Sequence, residues 1–136
     1  DDLVGTNLRA PLFLSQAAAA ALRESRGLII NMVDIHGRRP LKAHPVYSAA
    51  KAGLVMLTKS LARELGPEIR VNGIAPGPVL WPERPLDEAL KAEIVAKTAL
   101  QRSGSPEDIA RTAYFFAAEA PYVTGQVIAV DGGRSL

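Results

Sequence analysis

The chain has 136 residues, 48% hydrophobic and 22% charged, with a net charge of only +2. That balance excludes a disordered chain, and the scattered basic residues form no stripe of the kind nucleic acid requires. The absence of cysteine excludes disulfides, thiol catalysis and cysteine-bound metal, and it fits a reducing cytoplasm; no apolar run is long enough to cross a bilayer.

In chain order, Leu3 to Glu24 reads as a helix, with Leu8, Leu12, Ala19 and Leu22 at helical spacing and an alanine run of high propensity. Pro11 is expected to bend it and Gly27 to end it. Leu28 to Val33 is a nearly continuous apolar run, the mark of a strand covered on both faces and central in its sheet. Asp34 to Pro45 is a loop. Val46 to Leu65 is a second helix, stopped by Gly66-Pro67. Ile69 to Ala75 is a strand, and the proline-rich segment from Pro76 to Pro85 is irregular. Leu86 to Leu100 reads as a helix. Ser105-Pro106-Glu107-Asp108 is a strong helix start, for a helix running to Glu119. Gln126 to Val130 is the last strand.

This alternation predicts an α/β fold with a parallel sheet and helices on both faces. Three strands make a narrow sheet, and no G-x-G-x-x-G stands in the chain. The chain also opens on Asp1, within helical sequence. The expectation is an incomplete Rossmann-type, doubly wound sheet whose N-terminal nucleotide-binding half is absent, so that residues 1–136 alone are inactive.

The residues most suited to chemistry are Asp34, Tyr47 and Lys51. Tyr47 and Lys51 lie four apart at the start of a helix, hence on one face and about 6 Å apart along the axis. An ammonium there is expected to favour phenolate and lower the tyrosine pKa toward the working range of a general acid or base. Asp34 lies thirteen residues before Tyr47, where strand meets loop. Its charge would act against Lys51, giving a coupled set. The same loop carries His36, Arg38, Arg39, Lys42 and His44, without the carboxylate or cysteine spacing of a metal site.

Four features, in order, resemble the short-chain dehydrogenase/reductase family: Asn7 in the first helix, Tyr47-x-x-x-Lys51, the run from Arg70 to Gly77, and Thr124-Gly125-Gln126 with Val130-Asp131-Gly132-Gly133. The resemblance spans nearly all of the chain and matches the later part of a single family domain. Most members carry serine where Asp34 stands. With Leu80-Trp81-Pro82-Glu83, the aspartate is most similar to bacterial pteridine reductases. The resemblance implies a homotetrameric cytoplasmic enzyme that reduces a pterin or dihydrofolate with NADPH. It implies Asp34, Tyr47, Lys51 and Asn7 as catalytic residues, with Asn7 helping to hold a water. Lys51 would bond the nicotinamide ribose, the backbone at Pro76, Gly77 and Val79 would cradle the nicotinamide, and Trp81 would cover the pterin. The basic loop would be within reach of a folate tail. The alternatives are a carbonyl reductase of the family, such as a 3-oxoacyl-carrier-protein reductase, and a non-catalytic fragment acting only in assembly.

Overall fold

The computed structural model describes residues 2–81 and 87–136. The expected helix start at Leu86, together with Pro82 and Glu83, lies outside them. Three parallel strands, β1 (Leu28–Met32), β2 (Arg70–Pro76) and β3 (Val127–Val130), form one sheet in the order β1-β2-β3. Leu28 pairs with Arg70 and Gly73 with Val127. β2, not β1, is therefore the centre of this sheet. β1 has the apolar composition of a covered strand yet lies at the edge among the described residues, with residues 28–32 lining a cavity.

The first helix is interrupted. A short α1 (Asp2–Val4) passes into a wide π segment (Gly5–Arg9) and then into α2 (Ala10–Ser25). Pro11 has no amide for the carbonyl four residues back, that of Asn7. The ladder is disturbed ahead of the proline, and the Ala10 amide reaches five residues back to Gly5. α2 ends with Arg26 in the left-handed region (φ 51°), one residue before the expected Gly27, and the Gly27 amide closes on the Leu22 carbonyl at 2.8 Å.

α3 (Pro45–Leu65) packs along β2. It contributes Leu54 to a cluster with Val33, Ile35, Ala75 and Val127. Ala62 and Leu65 join Ile69 and Val71 in a second cluster, flanked by Leu22 and Ile29. Two buried polar residues fix the strands laterally. Asn31 donates to the Thr58 hydroxyl at 2.9 Å. Asn72 donates to the Val123 carbonyl at 2.9 Å and accepts the Gln126 amide at 3.0 Å, setting the register of β3.

α4 (Glu88–Ala96) is shorter than expected; Asp87 caps it by accepting the Ala89 amide. α5 (Pro106–Tyr114) begins after Ser105 as the sequence predicts, with Asp108 accepting the Ser105 amide at 2.9 Å. The expected stretch to Glu119 continues as a second π segment, Phe115–Glu119. Among the described residues no helix is long and apolar enough to cross a membrane.

Candidate active site

Asp34 follows directly on the end of β1 and leads into a single 3-10 turn, Ile35–Gly37. One carboxylate oxygen accepts the His36 amide at 2.8 Å, a local cap. The other accepts the Tyr47 hydroxyl at 2.7 Å. The aspartate thus has both the structural role common after strands and a bond to the phenol thirteen residues on.

Two contacts hold the loop against the start of α3. The Ser48 hydroxyl accepts the Leu41 amide at 3.0 Å. Gly37 lies so close to the helix backbone that a Cβ there would stand 2.9 Å from the Lys51 carbonyl oxygen. Only glycine allows that approach.

Lys51 is buried, and its ammonium donates to the Met32 carbonyl at 3.0 Å, with 5.8 Å to the centre of the Tyr47 ring. Burial pushes the Lys51 pKa down, opposed in part by the charge of Asp34. The tyrosine behaves opposite to expectation. Its pKa is raised, first by burial and then by the bond to, and the charge of, Asp34. The carboxylate is in direct contact with the hydroxyl, whereas the ammonium is turned to Met32, so the nearer charge adds to the effect of burial instead of opposing it.

Two cavities flank this centre. One, of about 470 Å³, is lined by Lys51, Met32, Asn7 and Ser15. Asn7 donates within its own helix to the Leu3 carbonyl at 3.0 Å. It faces the same space as Lys51 and is not joined to the Tyr47–Asp34 pair. The other cavity, of about 430 Å³, is lined by Asp34, Pro76, Gly77, Arg39, Arg134 and Ser135. A Cβ on Gly77 would stand 2.6 Å from Cβ of Asp131. The Asp131 carboxylate in turn accepts the Gly133 and Ser135 amides. The strand end and the closing turn are therefore fitted together by a glycine.

Two expected site residues lie elsewhere. Val79 does not line the Asp34 cavity; it packs toward Gly104, whose amide bonds the Pro78 carbonyl at 2.9 Å. Trp81 is not in that lining either, and the Lys91 ammonium stands 5.8 Å from the centre of its ring. Arg134 and Ser135 escaped sequence reasoning, because the Asp131-Gly132-Gly133 turn signals only a reversal and not what the following residues face.

A family model described as enoyl-(acyl carrier protein) reductase matches residues 1–135. The chain belongs to the short-chain dehydrogenase/reductase family. It is 39% identical over 137 residues to a 3-oxoacyl-[acyl-carrier-protein] reductase of Staphylococcus aureus, covering 98% of this chain and 56% of the relative. It is 38% identical over 138 residues to a (3R)-3-hydroxyacyl-CoA dehydrogenase of Mus musculus, covering 98% and 53%. Among solved structures, 4-hydroxyisoleucine dehydrogenase complexed with NADH superposes with a TM-score of 0.87 at 33% identity, over 96% of this chain and 57% of that one. The chain spans about half the length of these family members. The Rossmann-type α/β fold read from the sequence agrees with these neighbours.

Proposed function

We propose that the protein carrying this chain is a nicotinamide-dependent reductase of a pterin or dihydrofolate, acting at a C=N bond with NADPH. The observation behind this reading is the Asp34 carboxylate, 2.7 Å from the Tyr47 hydroxyl, at a position where the family pattern has serine. An ionised carboxylate only accepts hydrogen bonds. A carbonyl oxygen also only accepts, and negative charge developing on it would be repelled by Asp34. A pterin presents ring N–H donors instead. Once such a donor replaces the phenol at Asp34, the Tyr47 hydroxyl is released to give its proton to the ring nitrogen that needs one. Burial and the bond to Asp34 raise its pKa, and giving up that bond removes the second of these and eases donation.

The residues present suit a nicotinamide nucleotide. The Lys51 ammonium has three N–H donors and spends one on Met32, leaving two for ribose hydroxyls. Pro76 and Gly77 bring backbone to the wall of the adjoining cavity. The cofactor, when bound, supplies the hydride. Lys51 holds and orients it, Asp34 fixes the substrate, Tyr47 delivers the proton, and Asn7 supports a water beside Lys51.

The names of the relatives favour a second reading, reduction of a 3-oxoacyl thioester. The test is NADPH oxidation by the protein of the complete reading frame, with dihydrobiopterin, dihydrofolate or an acetoacetyl thioester. The pterin reading expects turnover of at least one pterin, its loss in Asp34→Ser, and little thioester activity in the parent. Thioester reduction without pterin reduction would establish the second reading.

A further inference from the structure

We infer that the Asp34 cavity takes a substrate with an anionic tail, and that Arg39 and Arg134 hold that tail at the cavity rim. The inference rests on reading this cavity as the substrate site. The two arginines come from distant parts of the chain, the loop after β1 and the turn after β3, and line one cavity with Asp34. A guanidinium carries five N–H donors in a planar fork suited to carboxylate or phosphate. Arg39 spends one on the Leu136 carbonyl at 3.1 Å, a bond that ties the loop to the turn and holds the rim together. Among the described residues neither guanidinium is paired with an Asp or Glu side chain.

Among the described residues the nearby acids already accept bonds. Both oxygens of Asp34 accept bonds, from His36 and Tyr47. Asp131 accepts the amides of Gly133 and Ser135. Glu93 is paired with Lys97, with Arg134 a smaller influence on it. The unspent N–H donors of this rim are those of the two guanidiniums. Of the other basic residues of the loop, His36 shares the lining, whereas Arg38 is turned to the Val127 carbonyl and Lys42 is not part of it. At about 430 Å³ the cavity is in the range that houses ligands larger than a bare ring.

Two sources supply such a tail. One is the glutamate carboxylates of a folate; the other is the phosphates of an acyl thioester carrier. The experiment compares wild type with the Arg39→Gln/Arg134→Gln variant, each in the complete reading frame, on two substrate pairs. Dihydrofolate is paired with dihydrobiopterin, and acetoacetyl-CoA with acetoacetyl-N-acetylcysteamine, the second of each pair lacking the charged tail. In the pair that is turned over, KM for the tailed member should rise roughly three- to tenfold with kcat little changed. KM for the tail-free member should stay put. The wild-type preference for the tailed substrate should also shrink as salt is raised. A selective effect on dihydrofolate identifies folate carboxylates. A selective effect on the CoA thioester identifies phosphate, keeps the anion-reading rim, and refutes the pterin reading. Equal effects on both members, or none, in the active pair would overturn the inference. So would loss of the folded circular dichroism spectrum in single Arg39→Gln and Arg134→Gln variants, since the rim would then be structural.

Discussion

Removing either partner of the Tyr47–Asp34 bond tests whether that bond holds the loop onto α3. Tyr47→Phe deletes the donor and leaves the ring in place. Asp34→Ala deletes the acceptor and, with it, the cap on the His36 amide. A hydrogen bond to a charged group contributes about 1.5–3 kcal/mol when shielded from water. Both residues here are half-buried, so water can partly replace a lost partner. The expected cost of Tyr47→Phe is accordingly about 1 kcal/mol. Asp34→Ala, which loses a second bond, should cost about 2 kcal/mol. The double variant should be less destabilised than the sum, by a coupling of about 1 kcal/mol. Urea unfolding of the four proteins at neutral pH, monitored by circular dichroism, measures this directly. The coupling also has a pH sign. The folded pKa of Tyr47 lies above its unfolded value, so its contribution is complete below about pH 10 and is lost as pH rises through the folded value. A coupling under about 0.3 kcal/mol at neutral pH would mean that the two sites act independently, and the argument for a held pair would fail.

Three further outcomes are expected. In an ultraviolet difference titration of wild type against Tyr47→Phe, the phenolate signal from Tyr47 should emerge above the usual range for tyrosine; emergence below it would show that Lys51 outweighs Asp34. Gly77→Ala should cost about 1–3 kcal/mol, because its methyl group would meet Asp131 backbone and Cβ at 2.6–2.7 Å, and denaturant midpoints would show it. The third concerns assembly. We propose a tetramer, built over the apolar Phe13, Leu14 and Met56, which are 55%, 70% and 60% exposed. Leu14→Glu with Met56→Glu should shift the complete protein to smaller species in light scattering, and an unchanged mass would move the interface elsewhere.

Much of this arrangement was legible in the residues. The parallel α/β alternation, the α3 span and the Ser105 helix start follow from short-range periodicity and capping. The Tyr47–Asp34 contact was legible because a helix register and a strand end fixed both partners. Other features depended on what the chain packs against. β1 reads as central because its side chains are apolar, but position in a sheet depends on which strands are present to pair. The π segment at Gly5–Arg9 comes from the missing amide at Pro11, and sequence indicates the disturbance without its form. The pKa direction at Tyr47 differs from the expectation because spacing places Lys51 on the correct face but reports neither the burial of the phenol nor the turn of the ammonium to Met32. Arg134 was missed because its partner in the cavity, Arg39, is far away in sequence.

The close seat of Gly37 on the Lys51 carbonyl divides the segment after β1 into two regimes. Residues 34–37 are held against the helix and cannot shift without disturbing the Tyr47–Asp34 bond. Beyond them the residues are largely exposed, the backbone turns through a left-handed Ala43, and the span is held by single bonds from Arg38 to Val127, Arg39 to Leu136 and Leu41 to Ser48. Under the proposed function, substitutions in that outer span, Arg39 included, change which molecules are accepted while the Tyr47–Asp34 bond stays in place. On that reading, such a partition lets substrate choice drift without relearning the chemistry.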